Sequence, residues 1–133
     1  MSNPKILIVD DDVDYVAATA VVLEKNGYDV VAAYDGKEGF EKAKSEQPQA
    51  MIIDLMMNTI NEGYNLVRSI RSDDRFKEVP LIMISAAHQT ETFKNANFAP
   101  DDDWFPIDTF MDKPINFEAL LEYLAKFLNK QES

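Results

Sequence analysis

Short apolar runs alternate with amphipathic stretches along most of this chain. Lys5-Ile6-Leu7-Ile8-Val9 is followed much later by Ala50-Met51-Ile52-Ile53 and then by Leu81-Ile82-Met83-Ile84. Runs this short, continuously apolar rather than alternating, predict strands covered on both faces. Asp29-Val30-Val31-Ala32-Ala33 and the segment from Ile107 to Met111 predict a second and a fifth strand. Between them the period changes to that of a helix. Over residues 13–26, Val13, Val16, Ala17, Ala20 and Leu23 share one helical face, and Gly27 supplies the stop. A second helix is predicted from Lys37 to Glu46, ending near Pro48, and a third from Glu62 to Arg71 with Leu66, Val67 and Ile70 inward. Phe117, Leu120, Leu121, Leu124, Phe127 and Leu128 mark a final amphipathic helix. Alternation of this kind predicts an α/β fold, a doubly wound parallel sheet with helices on both faces. We expect one domain over residues 1–133, with its core at about 4–129.

The interval from His88 to Pro106 fits the alternation less well. Thr90 to Phe98 makes a weak helix, and Ala99 to Pro106 an irregular acidic loop containing Asp101-Asp102-Asp103. Phe93, Phe98, Trp104 and Phe105 either form a satellite cluster under that loop or a docking patch rimmed by the acids.

Candidate chemistry gathers where the apolar runs end. The first runs into Asp10-Asp11-Asp12 and the third into Asp54. In an open α/β sheet, ligands bind beyond the carboxyl ends of the strands. Neighbouring strands would bring several acids to one edge, where mutual repulsion calls for a cation or for raised pKa values. Mg²⁺ is the natural guest of an oxygen-rich cluster. Taken alone, Asp54 could be a turn residue, a helix cap, a metal ligand or a covalent nucleophile. Asp12 and Asp14 sit where the first helix begins and read as caps. Ser85 and Lys113 also follow strands. Together these ends offer three acids, a hydroxyl and an ammonium, a set able to bind Mg²⁺ and a phosphoryl group at once while a carboxylate attacks.

Bulk composition narrows the classes. The formal net charge of −11 argues against nucleic-acid binding and against docking on anionic lipid. There is no cysteine, which excludes disulfides and thiolate metal sites. No apolar stretch approaches the roughly 20 residues of a membrane span, and no signal-type segment opens the chain, so a cytoplasmic location is expected.

Asp10-Asp11 after Ile6-Leu7-Ile8-Val9, Ile52-Ile53-Asp54-Leu55-Met56-Met57, Ser85-Ala86 and Lys113-Pro114 together resemble the receiver domain of response regulators in two-component signalling. The resemblance covers essentially the full length. It implies a five-stranded sheet of flavodoxin-like order 2-1-3-4-5. It implies that Asp54 accepts a phosphoryl group from a phosphohistidine on a sensor histidine kinase or a histidine phosphotransfer protein. Mg²⁺ would be held by Asp11, Asp54 and the backbone carbonyl of Met56, with Asp10 acting mainly through water. Ser85 would hydrogen-bond the phosphoryl group and Lys113 would pair with it. Phe110 matches the switch aromatic, and the Lys113-Pro114 bond would be cis. Phosphorylation would then switch contacts with a downstream target protein, or the phosphoryl group would pass along a phosphorelay. No effector domain follows the final helix, so a stand-alone regulator is expected, and no enzyme beyond self-phosphorylation and slow autodephosphorylation.

Three features depart from the family pattern. No proline follows Asp54 closely, and Glu62-Gly63 stands where Asp-Gly is common. Ser85 replaces the commoner threonine, and the stretch from Ser85 to Lys113 is long. A phosphorylation-independent binding module is the alternative these departures keep open. A small-molecule phosphatase of the haloacid dehalogenase type ranks lower, because Met56 occupies the position of its second acid.

Overall fold

The computed structural model describes residues 3–55, 60–85 and 107–132, with side chains described over 3–55, 62–84 and 107–128. Five parallel strands, β1 (Lys5–Val9), β2 (Asp29–Ala33), β3 (Ala50–Asp54), β4 (Leu81–Ser85) and β5 (Thr109–Asp112), form one sheet in the order β2-β1-β3-β4-β5. Among the described residues, four helices accompany them: α1 (Val13–Lys25), α2 (Gly36–Glu46), α3 (Ile60–Ser72) and α4 (Phe117–Glu132), with a short 3₁₀ turn at Asp74–Phe76. The doubly wound fold and strand order expected from the sequence are those observed.

The pleat divides the core into two layers. Leu7, Val9, Met51, Ile53, Leu81 and Met83 point to one side, where Ala43 of α2 and Leu66, Val67 and Ile70 of α3 cover them. Ile6, Ile8, Ile52, Ile82 and Ile84 point to the other, against Val16 and Leu23 of α1 and Leu120, Leu124 and Leu128 of α4. This is why the three central runs are apolar from Ile6 to Val9, from Ala50 to Ile53 and from Leu81 to Ile84. β2 and β5 are edges and are only partly buried.

Two expectations need correction. Val13 and Ala17, expected inward, are exposed, and the buried residues of α1 are Val16, Thr19 and Leu23. Thr19 goes inward because its hydroxyl donates to the carbonyl of Tyr15 at 2.9 Å, leaving the methyl for the core. β5 begins at Thr109 rather than Ile107. The carboxylate of Asp108 accepts from the Leu81 amide at 2.7 Å and from Arg71 at 2.8 Å, so a side chain occupies the bond a ladder residue would make. The remaining bounds differ by a residue or two at the ends. The segment 86–106, including the expected helix, the acidic loop, His88 and the aromatic cluster, lies outside the described residues.

Of the two caps expected at the start of the first helix, Asp12 is one, whereas Asp14 lies inside the first turn of α1; the cap of α2, Asp35, was not expected from the sequence. Asp12 caps α1 by accepting from the Tyr15 amide, and Asp35 caps α2 by accepting from Glu38; each cap stabilises by about 1 kcal/mol. Gly27 has φ of +91°, the left-handed backbone that ends α1.

Candidate functional site

The order of strands reverses direction at β1: the chain moves out to β2, then returns to place β3 on the other side of β1. That reversal leaves a crevice between the carboxyl ends of β1 and β3. Asp10, one residue past β1, and Asp54, the last residue of β3, stand on either side of it. Both are buried, at 0% and 4% exposure. Asp11 stands exposed at the rim. One carboxylate oxygen from each of Asp10, Asp11 and Asp54 lies within 4.8 Å of the others.

Lys113, just past β5, reaches over the crevice. Its Nζ lies 2.8 Å from Asp10 Oδ2 and donates to Asp54 Oδ2 at 3.3 Å. The Lys113-Pro114 bond is cis, as the resemblance implies. The other oxygen of Asp10 accepts from the Asp12 amide at 2.9 Å, so the capping turn of α1 fixes its carboxylate. Asp10 Oδ2 is buried, and what faces it is the Lys113 ammonium in an ion pair at 2.8 Å. Such an oxygen is costly to bury unless a cation faces it. Three acids against one ammonium leave a formal surplus of negative charge. This donor set fits a small, hard divalent cation.

Ionisation behaviour follows from the same crowding. Partial desolvation, then the neighbouring Asp10 charge, raises the Asp11 carboxyl above its ordinary value. Burial alone would lower the Lys113 ammonium, yet Asp10 and Asp54 outweigh it and hold it above its ordinary value. Lys113 is thus a fixed positive charge at neutral pH, and protons compete with a cation for Asp11 as pH falls toward the carboxylate range.

Asp10, Asp11, Asp54 and Lys113 are therefore brought together. Ser85 ends β4 in register with Asp112, but its side chain lies outside the described residues, as does Met56. Phe110 is half-buried in β5, beside Met83, and packs on the core layer under α2 and α3. Tyr15 was not singled out from the sequence. Its ring lies 4.5 Å from Lys113 Nζ and its hydroxyl accepts from the Ile115 amide at 3.3 Å. Its place one turn into a helix that starts at the acid cluster was the available signal; its partners lie about 100 positions away. A hollow of about 240 Å³ between α2 and α3, lined by Gly36, Phe40, Glu62 and Leu66 among others, shares no residue with the acid cluster.

The model of the response regulator receiver domain matches residues 6–125 of the sequence. The chain belongs to that family. This receiver domain is 30% identical over 129 residues to the DNA-binding dual master transcriptional regulator RpaA of Synechocystis sp., covering 97% of the chain and 51% of that protein. It is 34% identical over 128 residues to the response regulator ArlR of Staphylococcus saprophyticus, covering 96% of the chain and 53% of that protein. The chain thus spans about half the length of these two relatives. Among solved structures, a CheY-like response regulator receiver domain protein from Methanospirillum hungatei superposes with a TM-score of 0.78 at 28% identity, covering 98% of each chain. Chemotaxis response regulator CheY4 of Vibrio cholerae does so with a TM-score of 0.75 at 25% identity, covering 95% of this chain and 99% of that one. Among the described residues, no helix is long and apolar enough to cross a membrane.

Proposed function

We propose that the domain accepts a phosphoryl group on Asp54 from a phosphohistidine donor and thereby switches protein–protein contacts or passes the group on. The observation that carries this reading is the joint position of Asp10, Asp11, Asp54 and Lys113 at the β1/β3 crevice. Asp54 is the nucleophile: its carboxylate oxygen forms a bond to phosphorus as the phosphorus–nitrogen bond breaks, and the imidazole leaves with that electron pair. Asp10, Asp11, Asp54 and the backbone carbonyl of Met56 would hold Mg²⁺, which when bound offsets the charge on the phosphoryl oxygens. Lys113 pairs with the anionic phosphoryl group, exchanging part of its present ion pair with Asp54 for it. Ser85 donates its hydroxyl to a phosphoryl oxygen, and Phe110 follows as the aromatic that repacks. The group adds about −1.5 to −2 charge at one point, which biases a two-state surface around β4 and β5.

The surface beside the crevice supports a protein donor. Val13 and Val21 of α1 are 58% and 50% exposed, and Ala17 between them is exposed too. An apolar stripe beginning at the mouth of the site suits docking of another helix. DNA binding is named for RpaA, and a net charge of −11 gives this chain no basic footprint of its own. We read the domain as a signalling module rather than an enzyme with an external substrate, acting in the cytoplasm through a sensor kinase or phosphotransfer protein and a downstream target.

Transfer from a panel of phosphohistidine-bearing kinases and phosphotransfer proteins tests this reading. One or a few donors are expected to lose label to the chain within seconds to minutes. A chain that binds such proteins but draws label from none of them is instead the phosphorylation-independent module.

A further inference from the structure

We propose that Tyr15 is a positioning residue for Lys113, fixing the ammonium over the Asp10–Asp54 pair. Lysine carries its charge on a long, flexible stem, and ordering that stem is entropically unfavourable. Two contacts from one side chain offset this. The ring of Tyr15 lies 4.5 Å from Nζ, within the range at which an aromatic face attracts an ammonium. The hydroxyl accepts from the backbone amide of Ile115 at 3.3 Å, two residues beyond Lys113, and so holds the turn that carries the lysine.

Tyr15 is itself held. Its amide donates to Asp12 Oδ1 at 3.0 Å, and its carbonyl accepts from Thr19 Oγ1 at 2.9 Å. The Asp12 amide in turn donates to Asp10 Oδ1 at 2.9 Å, and Lys113 Nζ returns to Asp10 Oδ2 at 2.8 Å. A closed circuit of contacts therefore runs Asp10, Asp12, Tyr15, Lys113 and back to Asp10. It ties the start of α1 to the turn after β5 on either side of the acids. An aliphatic residue at position 15 would fill the space and supply neither contact with Lys113 and Ile115. The ammonium would then sample positions away from Asp54, and its placement on an incoming phosphoryl group would be slower.

The consequence for rate rests on the phosphoacceptor reading above; the consequence for Lys113 does not. Tyr15→Leu and Tyr15→Phe are compared with the unaltered chain in two ways. In the first, proton and carbon resonances of the Lys113 ε-methylene are recorded without any phosphodonor. Ring current from Tyr15 is expected to displace the protons upfield, the displacement surviving in Tyr15→Phe and disappearing in Tyr15→Leu. In the second, labelling by a small acyl phosphate with Mg²⁺ is timed. Tyr15→Leu is expected to label about fivefold more slowly, and Tyr15→Phe to recover most of that loss. Identical Lys113 resonances in the unaltered chain and Tyr15→Leu would overturn the proposal, as would equal labelling rates. If Tyr15→Leu does not fold, Tyr15→Phe decides. Its Ile115 amide is then expected to exchange with solvent about fivefold faster, with the ε-methylene still displaced, and an unchanged amide would overturn the role of the hydroxyl. Should the unaltered chain take up no phosphoryl group at all, the phosphoacceptor reading falls while the resonances still decide the place of Tyr15.

Discussion

Asp54→Asn is expected to abolish phosphoryl uptake while leaving the fold intact. The nucleophile is a carboxylate oxygen, and an amide oxygen at the same point has too little negative charge to attack phosphorus and cannot form the acyl phosphate. The structure also predicts why folding survives. Asp54 is 4% exposed at the end of a central strand, so the isosteric amide keeps the packing. Lys113 keeps its 2.8 Å ion pair with Asp10, so no buried ammonium is stranded. One of three crowded acids is removed, which relieves repulsion. Stability is expected to stay within about 1 kcal/mol of the unaltered chain, read by urea unfolding. Label retained in this variant would place the acceptor on another residue.

The largest effect on folding is expected from Gly63→Ala. A Cβ built at Gly63 would lie 2.6 Å from the carbonyl oxygens of Asp54 and Leu55 and 2.8 Å from Leu55 Cα. All three atoms are backbone and cannot rotate aside. α3 would have to lift from the end of β3, the strand that carries Asp54. Overpacking of a core costs typically 1–3 kcal/mol, and a backbone-to-backbone clash belongs at the upper end, about 3 kcal/mol. That is a large part of the stability of an ordinary domain. Gly27→Ala is the matched control. Nothing lies within 4 Å of its added Cβ, but φ is +91°, so the loss is conformational and nearer 1 kcal/mol. Chemical denaturation of both variants should rank them in that order. Equal, small losses would mean that α3 does not approach β3 as closely as described.

The parts of the fold legible in the sequence were those where burial on two sides leaves a simple pattern. β1, β3 and β4 read as continuous apolar runs because both core layers draw on them. The face of α1 was not legible in the same way. Val13, Val16, Ala17, Ala20, Val21, Val22 and Leu23 are apolar nearly all round the helix, so periodicity cannot choose among them. The sheet chooses Val16, Thr19 and Leu23, taking in a residue that reads as polar because its hydroxyl is satisfied within the helix. The start of β5 was misplaced because Asp108 replaces a backbone partner with its side chain.

Within the site, Asp10, Asp11 and Asp54 stood out because acids that end apolar runs are conspicuous. Lys113 was legible as the cation after the fifth strand, with Pro114 behind it. Tyr15 was not, since aromatic residues on amphipathic helices are common and only the folded topology brings its ring to a lysine so distant in sequence. The exposed stripe of Val13, Ala17 and Val21 is the other side of the misjudged helix face: apolar residues read as core are surface beside the acids.

The measurement that bears most directly on the central claim is the intact mass of the unaltered chain after incubation with a small acyl phosphate, with Mg²⁺ and with the metal chelated, followed by peptide mapping. One added phosphoryl group, dependent on Mg²⁺ and mapped to the peptide containing Asp54, is the predicted result. No added mass in the presence of Mg²⁺, or a phosphoryl group mapped elsewhere, would contradict the account.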